Sequence, residues 1–447
     1  MPATSPDLRA ARLDPEDYAR NFADAAPRMT RSQAVLEAER CLYCYHAPCV
    51  TACPTEIDIP SFIRRIADDN LRGAARTILE ANPLGGMCAR VCPTEELCEQ
   101  ACVRNTQEGV PVAIGRLQRY AVDALFESQR PQLFERGKPS GKTVAIVGAG
   151  PAGLSCAHKL ARAGHDVVIY EARGKAGGLN EYGIAAYKTT DGFAQREVQW
   201  LLSIGGIRIE FGHRLDSAAA LQELRDRHDA VFLSVGLSDT HQLGIPGEDL
   251  AGVQDAVRFI ETLRQASDMA TVPVGRRVVV IGGGMTAIDA STQSKLLGAE
   301  IVDMVYRRGP GSMSASTEEQ KWAQTHGVTL HHWLAPVAIL GHEGHVVGVR
   351  FERQQVQSGK LVGTGNFVEF QADMVLKAIG QKLGNDWLHD TGLSIKNGKI
   401  ETDAEGQTSL PGVWAGGDCR EGGLDLTVEA AQHGKLAARA IDRFLNA

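Results

Sequence analysis

Between residues 60 and 80, apolar side chains fall at Phe62, Ile63, Ile66, Ala74 and Ile78, close to the repeat of one helix face. This spacing predicts one helix, ended by Asn82-Pro83 and Gly85-Gly86. A second helical pattern covers residues 113–128, so residues 1–140 read as mostly helical. Residues 131–142 are polar and hold Pro, Gly and Ser, which predicts a linker and a domain boundary.

Beyond the linker the period changes. Thr143-Val144-Ala145-Ile146-Val147 is a short continuous apolar run of the kind found in buried strands. It leads into Gly148-Ala149-Gly150-Pro151-Ala152-Gly153 and then an amphipathic stretch to about Gly164. Val167-Val168-Ile169-Tyr170 is the next strand and ends on Glu171. This is a whole βαβ unit. Its glycines permit a tight turn, close approach of a pyrophosphate and tight helix–strand packing. The helix start offers amide donors to phosphate, and Glu171 offers an acceptor to both ribose hydroxyls.

A second unit starts at Arg277-Val278-Val279-Val280-Ile281. Its loop is Gly282-Gly283-Gly284-Met285-Thr286-Ala287, and its next strand, residues 301–306, ends in Arg307-Arg308. Two unequal units predict two different dinucleotides. The acid-ended unit suits FAD. The arginine-ended unit suits a nicotinamide dinucleotide, with room for a 2′-phosphate; a merely solvated strand end is the other reading of the arginine pair. Near the end, Gly412-Val413-Trp414-Ala415-Gly416-Gly417-Asp418 is a strand followed by a small-small-acid turn, then a helix over residues 426–444. Asp418 is placed to meet a ribitol, and the helix start at Thr427 and Val428 to face the pyrimidine end of a flavin. The FAD domain is then discontinuous, with the nicotinamide domain inserted. The expected bounds are a helical domain over residues 1–140, FAD-binding parts over 141–253 and 382–447, and an NAD(P)-binding domain over 254–381.

Composition adds exclusions. Hydrophobic residues are 43% and charged residues 23% of the 447, which is ordinary for globular domains. The net charge of −7 gives no support to nucleic-acid binding. No run of about 18 apolar residues predicts a membrane span. The first 30 residues include acids and lack an apolar core, so no secretory signal is read there and a cytoplasmic location is expected.

Cysteine is where the composition departs from the ordinary. Eight cysteines lie between Cys41 and Cys102, and only Cys156 and Cys419 follow. The first four read Cys41-x2-Cys44-x4-Cys49-x3-Cys53-Pro54, the second four Cys88-x3-Cys92-Pro93-x4-Cys98-x3-Cys102. Dense soft ligands with Cys-Pro steps suit iron–sulfur cubanes. Disulfides are disfavoured in a reducing compartment. Zinc ribbons use paired Cys-x2-Cys knuckles, and here only Cys41 and Cys44 have that spacing. By spacing alone Cys88 counts as a cluster ligand. His46 reads as a bystander, Cys156 as a packing residue, and Cys419 as a neighbour of the flavin turn. Neither dinucleotide unit has a Cys-x2-Cys pair, so no flavin-linked redox disulfide is expected.

These motifs together resemble the electron-input half of dihydropyrimidine dehydrogenase, especially the separate small subunit of the bacterial two-subunit enzymes. The architecture is shared with the small subunit of NADPH-dependent glutamate synthase and with ferredoxin:NADP oxidoreductase subunits. The residues that carry the closer resemblance are Cys53-Pro54-Thr55-Glu56-Ile57-Asp58-Ile59, Asn82-Pro83-Leu84-Gly85, Cys92-Pro93-Thr94 and Ile114-Gly115-Arg116-Leu117-Gln118.

The resemblance implies a multidomain α+β fold: a helical double-cluster domain, then two Rossmann-like α/β domains. It implies one [4Fe–4S] cluster on Cys41, Cys44, Cys49 and Cys102, and a second on Cys53, Cys92, Cys98 and Gln118. Cys88 is then left out, against the count from spacing. The FAD set takes in Gly148, Gly150, Pro151, Ala152, Gly153, Glu171, Gly178, Leu179, Gly417, Asp418, Thr427 and Val428. The NAD(P) set takes in Gly282, Gly283, Gly284, Met285, Thr286, Arg307, Arg308, Ala378, Ile379 and Gly380. Gly311-Ser312-Met313-Ser314 lacks the further basic residue of the NADPH-using single-chain relatives, so NADH and NADPH both stay open, with a lean to NADH. The implied activity moves electrons from NAD(P)H to FAD and through two clusters to an FMN- and cluster-containing partner subunit. That partner would reduce uracil and thymine to their 5,6-dihydro forms. The alternatives are a glutamate synthase or ferredoxin-linked partner, and a redox-sensing subunit without turnover.

Overall fold

The structure is a computed structural model that describes residues 7–384 and 386–447. The chain gathers into two compact units. One holds Ala26–Glu181, Asp191–Asp239 and Lys382–Ala447; the other holds residues 7–25 with Tyr182–Thr190 and Thr240–Gln381.

The first unit opens with helices Arg31–Glu39, Ile59–Ala67, Leu71–Ala81, Gly85–Val91 and Ile114–Phe126. The single helix expected over residues 60–80 is two. Asp69 takes a left-handed φ of 57°, and Asn70 caps the second helix by accepting from the Gly73 amide at 2.9 Å. Three short polar side chains in a row, Asp68-Asp69-Asn70, compete for backbone hydrogen bonds, and that breaks the ladder where the apolar period continues. Gly85-Gly86, expected to end a helix, instead opens the next one. Phe62, Ile63, Ile66, Ile78, Leu117 and Ala121 form the core between these helices.

The same unit contains an all-parallel sheet in the order Val413–Ala415, Ala230–Leu233, Thr143–Val147, Asp166–Glu171, Ile207–Phe211. Its central strands are buried on both faces, as continuous apolar runs require. Helix Pro151–Ala163 leaves the first strand and closes on Gly164 at φ 98°. The C-terminal helix Thr427–Leu445 packs along it. A Cβ at Gly434 would stand 2.1 Å from the Ala152 carbonyl oxygen, so glycine sets how closely the two helices approach.

The second unit has a parallel sheet in the order Val328–His332, Ile301–Tyr306, Arg277–Gly282, Met374–Ala378, Val253–Asp255. Val253 therefore pairs into this sheet, and the long segment of the unit runs from Thr240, upstream of residue 254. Leu8–Arg9 pairs antiparallel with Val274–Gly275. Leu334–His342, His345–Gln357 and Lys360–Gln371 form an antiparallel meander between two strands of the parallel sheet. No helix among the described residues is long and apolar enough to cross a membrane.

Candidate functional site

Four cysteines line one hollow in the helical part of the first unit. Cys41, Cys44, Cys49 and Cys102 line it, with walls that include Ile59, Ile63, Val112 and Ile114. Local structures deliver three of them, and Cys44 lies in the loop between. Cys41 follows helix Arg31–Glu39, Cys49 sits on the short helix Pro48–Thr51, and Cys102 is the N-cap of Val103–Glu108. Burial, with the thiols of Cys102, Cys41 and Cys44 nearby, pushes Cys49 up to about 12. Burial of this kind keeps a thiol protonated, and a soft cation bound there would have to displace that proton. Apolar walls and soft ligands fit an iron–sulfur cage. His46 is exposed and does not line the hollow.

A second cysteine group lies in the same core. Cys92 is raised by its hydrogen bond with Cys88, by burial and by the thiols of Cys98 and Cys53. Cys98 is raised by burial and then by Glu99, Cys53 and Cys49. Gln118 is buried on helix Ile114–Phe126, and its Nε2 donates to the Gly85 carbonyl at 2.7 Å. That bond fixes the amide and leaves Oε1 as its acceptor end. Cys88 is buried too and stands beside Cys92, so position alone does not separate it from the group. Its Sγ also accepts from Asn82 Nδ2 at 3.1 Å, an engagement within the helical core.

The first glycine loop is shaped by contacts that leave no room for side chains. A Cβ at Gly148, which has φ 100°, would meet the Ser234 carbonyl oxygen at 2.4 Å, and one at Gly153 would meet the Gly148 oxygen at 2.1 Å. Gly150 faces Gly178, where a Cβ would come within 2.8 Å of the Gly150 Cα. The helix starting at Pro151 has no side-chain cap, so its first amides, Ala152 and Gly153 among them, remain available to an anion. Other helices are closed by Thr30, Asp58, Asn70, Ser217 and Ser316. Glu171 is buried at the end of its strand and accepts from the Ala149 amide at 2.7 Å and the Arg173 amide at 2.8 Å. Each carboxylate oxygen keeps capacity for a ribose hydroxyl. This cradle fits a dinucleotide pyrophosphate.

The C-terminal turn comes to the same unit. Asp418 follows Gly416-Gly417, and burial, with Asp425 adding, pushes it up to about 6. The Gly417 amide donates to His433 Nδ1 at 3.2 Å. Thr427 opens the C-terminal helix and its hydroxyl donates to Asn180 Oδ1 at 2.7 Å, next to Gly178 and Leu179. Val428 is buried in the core that contains Cys53 and Cys88. Cys419 is buried, its thiol donating to the Gly416 carbonyl at 3.3 Å, and Cys156 is fully buried in the glycine-loop helix.

In the second unit, a Cβ at Gly282 would meet the Ala378 oxygen at 2.2 Å and one at Gly283 would enter the Tyr306 ring at 2.4 Å. Gly284 is the N-cap of helix Met285–Leu296, and this start, with Met285 and Thr286, also lacks a side-chain cap. Ile379 and Gly380 continue from Ala378, with Gly380 at φ 102°. Arg307 and Arg308 are exposed beyond the strand end. These residues fit a second, solvent-open dinucleotide loop.

Three buried ionic groups were missed by motif reading. Glu197 is fully buried on helix Phe193–Leu202 and accepts from the Gly86 amide at 2.7 Å. Lys435 is buried on the C-terminal helix and donates to the Thr55 and Ala81 carbonyls. In the second unit, Asp289 pairs with Lys188 at 2.8 Å, and Lys188 with Glu319 at 2.7 Å. The signal was a charge inside an apolar stripe. Glu197 lies between Phe193, Ala194 and Val198, Leu201, and Lys435 between Ala431 and Ala438.

Comparison with known proteins gives two family matches. Residues 142–434 match pyridine nucleotide-disulphide oxidoreductase, and residues 18–130 match dihydropyrimidine dehydrogenase domain II, 4Fe-4S cluster. The NAD-dependent dihydropyrimidine dehydrogenase subunit PreT of Salmonella typhimurium is 35% identical, covering 95% of this chain and 98% of that one. The glutamate synthase [NADPH] small chain of Escherichia coli is 33% identical, covering 95% and 94%. Among solved structures, Mycobacterium tuberculosis FprA in complex with NADPH superposes with a TM-score of 0.58 at 19% identity, over 69% of this chain and 85% of that one. The chain therefore belongs to the pyridine nucleotide-disulphide oxidoreductase family, in the form that carries a dihydropyrimidine-dehydrogenase-type 4Fe-4S domain ahead of its first glycine loop.

Proposed function

We propose that the chain is the electron-input subunit of a dihydropyrimidine dehydrogenase of the NAD type. It takes electrons from NAD(P)H and delivers them to an FMN- and cluster-containing partner that reduces uracil and thymine. FAD accepts a hydride and releases electrons singly, and iron–sulfur clusters carry one electron each. The residues do the holding. Gly148, Gly150 and Gly153 admit the FAD pyrophosphate to the open helix start, and Glu171 takes the ribose. Asp418 takes the ribitol. Gly282, Gly283 and Gly284 admit the nicotinamide dinucleotide, with Arg307 and Arg308 at its ribose. Cys41, Cys44, Cys49 and Cys102 hold one cluster, and Cys53, Cys92, Cys98 and Gln118 the other.

The observation that carries this reading is the hollow lined by Cys41, Cys44, Cys49 and Cys102, in the same compact unit as the Glu171-ended loop. A cysteine-lined hollow in the same compact unit as a dinucleotide cradle supports electron transfer over a redox disulfide or a substrate base. The likeness to the PreT subunits supports the pyrimidine branch. A second reading, a glutamate synthase small subunit, is favoured by the 33% identity to that chain. The test is co-purification of the native complex followed by NADH-driven assays with uracil, thymine, and 2-oxoglutarate plus glutamine. Dihydropyrimidine formation supports the proposal. Glutamate formation without it transfers the chain to the second reading.

A further inference from the structure

Lys435 lies in the middle of the C-terminal helix, two turns beyond Thr427 and Val428. It is 4% exposed. Its Nζ donates to the Thr55 carbonyl at 2.9 Å and to the Ala81 carbonyl at 3.1 Å. Both acceptors belong to the cysteine-bearing part of the chain. Thr55 follows Cys53-Pro54, and its hydroxyl lies 3.4 Å from Cys53 Sγ. Ala81 is the last residue of helix Leu71–Ala81, whose carbonyl end favours a cation, and Asn82 after it bonds Cys88. No carboxylate among the described residues forms an ion pair with this ammonium.

A buried charge without a counter-ion is costly, and two neutral acceptors do not cancel it. Burial pulls Lys435 down to about 8, with Arg439 and Lys159 adding and Glu56 and Cys53 opposing. At pH 7 the group still carries its proton. A neutral donor would satisfy the same two carbonyls without burying a charge. A lysine that holds a net positive charge beside a cysteine cage acts on whatever charge that cage takes up.

We propose that Lys435 is a positioning residue that pins the flavin-side helix to the loops of the second cysteine group and, by its buried charge, raises the reduction potential of the cluster held there. This rests on the assignment of Cys53, Cys92, Cys98 and Gln118 to a cluster. Net charge and hydrogen bonding around the ligands are among the levers that set such potentials. Reduction adds one electron to the cage, and the fixed ammonium stabilises that added negative charge; no proton transfer is required.

The test compares the full chain, purified without oxygen, with Lys435→Met, Lys435→Gln and Lys435→Arg. Iron content and redox-poised electron paramagnetic resonance are measured on each. The expected result is a lower potential for one cluster in the Met and Gln variants, no change in the other cluster, and recovery toward wild type in the Arg variant. Gln keeps a donor for one carbonyl, so it separates lost charge from lost anchoring if Met disturbs assembly. Unchanged potentials in Gln, or a Gln variant that loses iron while Arg does not restore it, would overturn the charge role. A wild-type chain without a second cluster would overturn the ligand assignment itself, and the two failures are told apart by the wild-type iron content.

Discussion

Glu197 Oε1 stands 2.7 Å from the Gly86 amide nitrogen and 3.1 Å from that of Met87, so a carboxyl from the Phe193–Leu202 helix closes the start of the Gly85–Val91 helix. This explains why Gly86 stands in the first turn of that helix. A Cβ at Gly86 would come within 2.5 Å of the Phe193 ring, and the cap needs that closeness. Glu197→Ala leaves two buried donors unpaired and should cost about 1–3 kcal/mol for each. The expected outcome is a lower unfolding temperature together with loss of iron from the second cysteine group.

The same residue predicts a pH dependence. Burial pushes Glu197 up to about 8, although the Met87 and Gly86 amides and Arg90 oppose it. In the unfolded chain it ionises near the ordinary glutamate value. Its contribution is therefore complete at low pH, declines as pH rises past the unfolded value, and is lost above about 8. Glu197→Gln should flatten this slope. Unfolding midpoints from pH 5 to 9 check it, and parallel curves for the two proteins would contradict it.

Gly434→Ala places a methyl 2.1 Å from the Ala152 oxygen, where the acceptor is backbone and does not yield. Overpacking of this kind costs about 1–3 kcal/mol. The C-terminal helix should shift away from the glycine-loop helix, with faster loss of flavin on dilution. Flavin fluorescence released over time measures this. Release at the wild-type rate would show that the helix pair does not govern retention.

Gln118→Ala should damage one cluster and spare the other and the flavin, because its amide is fixed by Gly85 with Oε1 left to act as a ligand. Cys88→Ala should be milder, leaving Asn82 without one acceptor. Iron counts and electron paramagnetic resonance separate the two. Loss of a cluster in the Cys88 variant with none in the Gln118 variant would return Cys88 to the ligand set.

Replacing Arg307 and Arg308 together should weaken NADPH more than NADH, since only NADPH has a 2′-phosphate. A charged hydrogen bond contributes on the order of 1.5–3 kcal/mol, and the exposure of both side chains puts the expected effect at the low end. The ratio of KM values for the two nucleotides reads this out, and equal losses would show that the pair does not sense the 2′ position.

The two glycine loops were legible because each requirement is local. A turn with no room for Cβ, a helix start and a strand-end residue lie within one short segment, as at Gly148 and Glu171. The cysteine spacing was legible for the same reason. Long-range relations were not. The break at Asp69 depends on competition for backbone bonds that apolar periodicity does not register. The Leu334–Gln371 meander alternates too weakly to announce three strands, with Lys360–Gln371 exposed over much of its length. Glu197 and Lys435 bond residues 111 and 380 positions away, so only a charge in an apolar stripe marked them. The pairing of Val253 with the second sheet follows from a partner strand at 374–378, far along the chain.

The central claim is that nicotinamide electrons reach iron within this chain. The most direct measurement mixes the protein, purified without oxygen, with NADH and follows flavin absorbance and cluster electron paramagnetic resonance together, with no partner present. The account predicts FAD and about eight irons per chain, as two cubanes require, bleaching of the flavin, and reduced-cluster signals, with uracil unchanged until an FMN- and cluster-containing partner is added. Zinc in place of iron, or a flavin that bleaches while the clusters stay oxidised at every potential NADH can reach, would contradict it.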